Sequence, residues 1–471
     1  MKNKYQKKEF LVLFLISIFL VAGSIGAYSQ VCGDVNNSGA ADIIDALLIS
    51  QYYVGINPSP FDPSVADVNG DGSINIIDAL LVAQYYVGIV NSLSCPIQTP
   101  VPTDTPTPTI VPTPETTSVP GPGPVYSVSG GRVRKDGAQI AFYGLNWFGM
   151  ELGDHIVHGL WTGRQLDDFL SDFVSKGFNA LRLPLSPEVI NSGFAINSGP
   201  YSGADCEALC GQDGRTALEY TLSRIEAAGM YVLLDNHTCN PAQIGSALPG
   251  SPIGCSGYSL SNWLDDLREL AALSLTYTNI VGIDLCNEPH ALSYSEWADL
   301  CSRGGQAILS VNSNITIWVN GVGNNSPNGG YPANWGQNLY DAGDIPGIPA
   351  DRLVFTPHSY GPSVAAMEYF SAPDYPNNMP EVWDTLFGHL VGKGYTVVIG
   401  EYGGTYHTSS NPAQNDKLWQ DSFVDYLIGK GIRSNFYWCV NPNSGDTGGV
   451  YEGDWLTWNT DKLALLQRLM N

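Results

Sequence analysis

The sequence is poor in charge, and poorest in positive charge. Lysine and arginine total 21 against 45 aspartates and glutamates in 471 residues, a formal net charge of -24. That balance argues against nucleic acid or an anionic membrane surface as a partner, although solubility alone would also account for it. Charged residues are 14% of the chain, well below the roughly 25% of an average soluble domain. Long apolar runs are scarce as well. The one run, Leu11–Ala22, is shorter than the ~20 residues that span a bilayer comfortably. It follows Lys2, Lys4, Lys7 and Lys8 and leads into small and polar residues, so residues 1–29 read as a secretory signal peptide, with an uncleaved anchor helix as the alternative. No transmembrane segment is expected after cleavage, and the mature chain is expected outside the cell or at its surface. Spacings such as His-Glu-x-x-His, which would hold a catalytic metal, are missing too.

What the chain has in quantity is tryptophan, tyrosine, glycine and asparagine. Such a surface suits neutral, hydroxyl-rich ligands, because sugars offer apolar ring faces to aromatics and hydroxyls to amides. Nine cysteines in an exported chain permit disulfides, and the odd count leaves at least one thiol outside an intrachain pair. Cys32 and Cys95 bracket one region and can staple its ends. Cys239 and Cys255 share a predicted loop, whereas Cys286 and Cys439 lie inside strand patterns and read as buried thiols.

Residues 97–124 are Pro/Thr-rich without apolar periodicity, an extended linker whose composition also suits glycosylation. Before it, at 32–95, lies a duplication: "DVNNSGAADIIDALLISQYYVG" from Asp34 and "DVNGDGSINIIDALLVAQYYVG" from Asp67. Each copy places oxygen-bearing side chains where a loop of about 12 residues wraps a hard cation, with a central glycine for the sharp turn. In the first copy these are Asp34, Asn36, Ser38, Asp42 and Asp45 around Gly39; in the second, Asp67, Asn69, Asp71, Asn75 and Asp78 around Gly72. Ser38 in place of an acid suggests weaker binding in the first loop. The last ligand is Asp rather than the bidentate Glu of a calcium sensor, and no amphipathic helix precedes either loop. On these motifs 32–95 resembles a dockerin, a small all-α calcium-loop module that attaches secreted enzymes to cohesin domains. The resemblance implies bound Ca2+, a cohesin partner on a scaffold protein, and partner-facing positions at Ile43-Ile44 and Ile76-Ile77. Burial of those isoleucines inside the module is the competing expectation.

From Tyr126 onward apolar strand-like segments end at Trp147, Leu185, His237, Glu288, Gly321, Tyr360, Glu401 and Asn441, with amphipathic helical patterns such as "LDDFLSDFVSKG" between them. Eight strands alternating with helices over 126–471 indicate an α/β fold, a (β/α)8 TIM barrel whose functional residues gather where the strands end. Glu288 could still be a solvated carboxylate in a strand-to-helix turn with Pro289 at the first helical position. Against that, Arg182, His237, Asn287, Glu288, His358, Tyr360, Glu401 and Trp438 all fall at strand ends, and a barrel brings such ends to one mouth.

These residues, with "GLNWFGME", "HGLW", "NNMPEVW" and "NPNSGDTGG", resemble glycoside hydrolase family 5, the cellulase family, in its bacterial endo-β-1,4-glucanase branch. The resemblance spans nearly all of 126–471. It implies hydrolysis of cellulose or related β-glucans by a retaining double displacement, with Glu288 as acid/base and Glu401 as nucleophile and no cofactor for catalysis. By the same resemblance Arg182 and Tyr360 orient Glu401, Asn287 meets the sugar 2-hydroxyl, His237 and His358 complete the polar shell, and Trp438 floors the reacting sugar. Trp161, Trp263 and Trp335 are candidates for outer subsites. Three rival readings stay open: a mannanase or xylanase of the same family, a non-catalytic carbohydrate-binding scaffold component, and an extracellular calcium sensor.

Overall fold

Fully buried parallel strands need covering on both faces, and the chain supplies that cover by following nearly every strand with an amphipathic helix. The computed structural model describes residues 31–36, 38, 40–53, 58, 60–70, 73–86, 90, 92–95, 123–200 and 202–471. These fall into two compact units, one within 1–116 and one within 117–471. The expected signal peptide and most of the expected linker lie outside the described residues, as do Asp71, Gly39 and Gly72.

In the larger unit eight parallel strands form the barrel: β1 (Tyr143–Asn146), β2 (Ala180–Leu185), β3 (Tyr231–Asn236), β4 (Ile280–Asp284), β5 (Thr316–Val319), β6 (Leu353–Phe355), β7 (Thr396–Val397) and β8 (Asn435–Tyr437). Neighbours in sequence are neighbours in the sheet; β8 returns to pair with β1, and a bridge from Ile399 to Asn435 joins the β7 edge to β8. In this ring β8 and β1 stand opposite β4 and β5.

Two strands run in two pieces. β6 resumes as His358–Tyr360 and β7 as Glu401–Gly403, and these pieces pair in parallel with His358 beside Glu401. Pro357 interrupts the first, having no N–H to give the ladder. β4 stops at Asp284, earlier than its sequence pattern suggests, and Glu288 lies beyond it in a turn with a positive φ of 48°. The next helix begins only at Tyr294, where Ser293 and Glu296 form a capping box, so Pro289 is not its first residue. A three-stranded antiparallel sheet (Tyr126–Ser129, Arg132–Lys135, Ala138–Gln139), for which the sequence patterns gave no expectation, covers the opposite end. Tyr126 N and Val128 N donate to Asn314 O and Asp351 O, just before β5 and β6.

The smaller unit has two helices, Ile43–Tyr53 and Ile76–Tyr86, each following one copy of the repeat. Asp42 and Asn75 cap them, accepting from Ile44 N and Ile77 N. Its core uses matching positions of the two copies, Val35 with Val68, Ala46 with Ala79, and Ile49 with Val82, and the disulfide Cys32–Cys95 ties its ends. Ile43, Ile44, Ile76 and Ile77 are about half exposed, as are Leu47 and Leu80, which overturns inward packing. Cys239–Cys255 is also a disulfide; Cys206–Cys210 is a third, and Cys286, Cys301 and Cys439 are buried thiols. Among the described residues no helix is long and apolar enough to cross a membrane.

Candidate active site

Arg182 lies at the centre of the site because inward-facing positions of β2 point at the barrel axis, and it is wholly buried. Its Nε and Nη2 donate to Asp284 Oδ2 at 3.1 and 2.9 Å, Nη1 donates to Glu401 Oε1 at 2.5 Å and Asn146 Oδ1 at 3.0 Å, and Nη2 reaches Asn287 Oδ1 at 3.0 Å. Asp235 Oδ1 stands 3.0 Å from Nη2. Burial works against the guanidinium charge, but Asp235, Asp284 and Glu401 outweigh it and raise its pKa above the ordinary value.

From this centre the hydrogen-bond directions propagate. His237 is pushed down to about 4 by burial, so its ring is neutral at neutral pH. Its Nδ1 donates to Asp235 Oδ2 at 2.6 Å, which leaves Nε2 to accept from Asn287 Nδ2 at 3.3 Å. Asn287 is thereby fixed at both ends, its oxygen on Arg182 and its nitrogen on His237.

Glu401 is held by Arg182 on one oxygen and by Tyr360, whose hydroxyl donates to Oε2 at 2.6 Å, on the other. Glu288 Oε1 accepts from His358 Nδ1 at 3.1 Å, and the same nitrogen is 3.5 Å from Glu401 Oε2. A carboxylate oxygen of Glu288 lies within 4.8 Å of one of Glu401. Burial and the charge of Glu401 raise the Glu288 carboxyl well above its usual range. Burial raises Glu401 as well, but the Arg182 charge and the Tyr360 hydrogen bond oppose it, so Glu401 is the one that ionises first.

Around these groups the aromatics divide by strand position. Trp438, half-buried after β8, has its ring near-parallel to His237 and to Phe148, with centroids 5.9 and 5.7 Å away. Phe148 continues to His158 at 5.2 Å and His158 to Trp161 at 4.8 Å, so Trp161 is joined to Trp438 by a run of rings on the β8/β1 side. Trp335 lies on the β4/β5 side, stacked on His290. Trp263 does not belong to the site: it is fully buried, and its Nε1 donates to Leu285 O at 3.2 Å. Its place on the apolar stripe of a long helix made it a core residue.

The sequence reading passed over Asn146, Asp235, Asp284 and Asn320. Asn320 Nδ2 donates to Asp284 Oδ1 at 2.6 Å. The available signal was a charged or amide residue inside an otherwise apolar strand, as in "LLDNH" and "VGIDL", since such a group must find a partner when buried.

In the small unit both carboxylate oxygens of Asp45 accept from the loop, Oδ1 from Asn36 N at 3.1 Å and Oδ2 from Asp42 N at 2.8 Å. Asp78 repeats this with Val68 N and Asn75 N at 2.9 and 2.8 Å. Burial, and then the charges of Asp34 and Asp42, raise Asp45 above its ordinary pKa. Three acids converging on one loop are the donor chemistry of a hard cation.

Comparison with known proteins identifies the family. Residues 133–444 match the cellulase family, glycosyl hydrolase family 5, and residues 32–86 match the dockerin type I domain. The major extracellular endoglucanase of Xanthomonas campestris pv. campestris is 38% identical over 74% of this chain and 72% of its own length. An endoglucanase of Paenibacillus polymyxa is 34% identical over 72% of this chain and 85% of its own. Among solved structures, a variant endocellulase from Pyrococcus horikoshii complexed with cellotetraose superposes with a TM-score of 0.68 at 33% identity, covering 74% of this chain and 99% of that one. With a family match over most of its length and relatives this near, the chain belongs to glycosyl hydrolase family 5 and carries a type I dockerin domain at its N-terminal side.

Proposed function

We propose that the barrel is a retaining endo-β-1,4-glucanase acting on cellulose or related β-glucans. The observation that carries the reading is the separation of Glu288 and Glu401, within 4.8 Å at the nearest oxygens. Retaining pairs stand about 5–5.5 Å apart and inverting pairs about 6.5–9.5 Å, the latter leaving room for a water. Glu401, ionised and steered by Arg182 and Tyr360, attacks the anomeric carbon. Glu288, protonated and held by His358, gives its proton to the leaving oxygen. Once Glu401 is esterified its charge is gone, Glu288 loses that push on its pKa, and it accepts a proton from the attacking water. Asn287, with one amide hydrogen on His237, has the other for a sugar 2-hydroxyl, a contact that strengthens in the transition state.

The substrate lies across the mouth, with Trp438 under the reacting sugar, Trp161 further out on the β8/β1 side, and Trp335 under the leaving-group sugar. The endoglucanase names of the relatives support glucan over mannan or xylan. Following the anomers released from cellotetraose by NMR tests the reading: the β-anomer should form first, and hydrolysis of carboxymethylcellulose should outpace that of mannan and xylan. Initial release of the α-anomer, or a preference for mannan, would overturn it.

The duplicated module is read as a calcium-dependent anchor to a cohesin-bearing scaffold, and residues 1–29 as the export signal. Asp34, Asn36, Ser38, Asp42 and Asp45 would hold one Ca2+, and Asp67, Asn69, Asp71, Asn75 and Asp78 the second. The cation supplies countercharge to converging carboxylates, and the half-exposed isoleucines supply the apolar contact. Domain limits at 32–95, 97–124 and 126–471 go with this reading.

A further inference from the structure

His290, two residues past the acid/base, has no part in the mechanism so far. Its Nδ1 lies 2.7 Å from the carbonyl oxygen of Glu288, and because a carbonyl only accepts, Nδ1 carries the proton. The same ring lies flat on the indole of Trp335, with centroids 3.6 Å apart and planes 4° apart. Burial lowers its pKa, which favours the neutral imidazole.

Both contacts matter because of what they hold. Glu288 has a positive φ, a region that side chains other than glycine and asparagine seldom adopt. Nothing intrinsic to the chain keeps its carboxyl aimed, so neighbours must. Trp335 is carried by the loop after β5, where the next residue, Gly336, packs so closely that a Cβ would stand 3.2 Å from Glu288 Cγ. Platform and acid therefore share one corner of the site, with His290 between them. The ring is itself anchored from outside: His290 N and Ala291 N donate to Gly250 O at 2.9 and 3.2 Å. Gly250 lies in the segment closed by the Cys239–Cys255 disulfide, and a Cβ there would come within 2.6 Å of Ala291 N.

We propose that His290 is a positioning residue with two separable tasks: its N–H aims Glu288 through the backbone carbonyl, and its ring sets the plane of Trp335 as the platform for the leaving-group sugar. The proposal rests on the glucanase reading. It differs from a packing role in requiring the donor and the ring to govern different parts of the reaction. Losing the donor should weaken proton transfer, which poor leaving groups need and activated phenolates do not. Losing the ring should weaken occupancy of the leaving-group site, where an acceptor sugar also binds when its hydroxyl attacks the glycosyl ester on Glu401 and passes its proton to Glu288.

Two substitutions in the full-length protein divide these tasks. His290→Phe keeps a stacking ring and removes the donor; His290→Asn keeps an amide donor and removes the ring. Three readouts apply: kcat and KM on cellotetraose, the phenolate burst from dinitrophenyl cellobioside, and the share of glycosyl-enzyme captured by added cellobiose rather than water. His290→Phe should lose about tenfold in kcat on cellotetraose, part of what a general acid contributes, with an unchanged burst and an unchanged share of transfer. His290→Asn should keep kcat and burst, while KM rises and the transfer share falls about fivefold, the weight of one aromatic contact. Parallel losses in both variants on all three readouts, or no change in either, would overturn the proposal. Wild-type protein inert on both substrates would instead sink the glucanase reading beneath it.

Discussion

The two units meet the same electrostatic problem, carboxylates gathered in a small space, with different countercharges. In the barrel Asp235, Asp284 and Glu401 surround Arg182, a cation built into a strand and wholly buried with them. In the small module Asp34, Asp42 and Asp45 converge likewise, yet the sequence from Cys32 to Cys95 contains no lysine, arginine or histidine. The sequence of the module supplies no basic side chain to set against its acids, and a bound cation is the countercharge proposed for it. Apolar surface is apportioned differently too: the barrel gathers most of its aromatics into one continuous core, whereas the module, with a small core, exposes the paired positions Ile43, Ile44 and Leu47 and Ile76, Ile77 and Leu80. A scaffold with its own countercharge can keep a reacting geometry rigid; a module that took its countercharge from a bound cation, as proposed above, would suit conditional attachment.

The comparison breaks most visibly at the proposed nucleophile. Glu401→Ala should abolish hydrolysis by several orders of magnitude for every leaving group, with azide restoring turnover to an inverted product. Glu288→Ala should still release activated phenolates and give an azide product of retained configuration. Azide products of one configuration from both variants would cancel the assigned roles, and swapped configurations would exchange them. Next in size is the built-in cation. Arg182→Leu leaves three buried acids uncompensated and should cost roughly 3–5 kcal/mol of barrel stability, read by urea unfolding; an unchanged midpoint would mean the acids are neutral without it. Chelation sharpens the contrast: EDTA should abolish cohesin binding and change hydrolysis of soluble cello-oligosaccharides less than about twofold. Calorimetry on the calcium-free protein should find the Asp71 loop tighter than the Ser38 loop.

A smaller effect concerns pH. Burial pushes Glu151 up to about 7 from 4.5, only partly offset by the hydrogen bond from Gly149 N. An acid raised on folding favours the native state while it stays protonated. Its contribution is fully present below about 4.5 and is lost as pH climbs through about 7. Glu151→Gln should therefore raise the unfolding temperature at pH 8 and leave it nearly unchanged at pH 4; an equal shift at both would exclude titration as the cause. Smallest in stability is Ile44→Asp, which should alter unfolding by less than about 0.5 kcal/mol because the side chain is half exposed. Cohesin affinity should nevertheless fall by an order of magnitude or more.

Periodicity and strand-end chemistry made much of this legible before any coordinates. β2 has the bounds its apolar run suggests, and the repeated loops announce the helices after them. Strand ends were less legible. "IVGIDLCNE" looks continuous through Glu288, but β4 ends at Asp284 and Glu288 lies in a turn at positive φ, although Leu285 N and Asn287 N still donate to Trp318 O and Asn236 O of the flanking strands. Trp263 and Trp335 were indistinguishable as letters; one packs in a helix interface and the other on a histidine at the rim. The hairpin sheet under the barrel was invisible because its strands are short and only alternately buried.

By itself the sequence determined the kinds of groups present and their order along the chain: eight apolar strands, acids and amides where they end, and a duplicated acidic loop without a basic residue. Such properties are local, carried by side-chain chemistry and by periods of two and 3.6 residues. Only the tertiary structure decided which acid faces which. Glu288 and Glu401 are far apart in sequence, and their approach depends on closure of the ring and on the register that sets His358 beside Glu401. Arg182 becomes a hub for the same reason, since barrel closure turns several strands' inward side chains toward one axis.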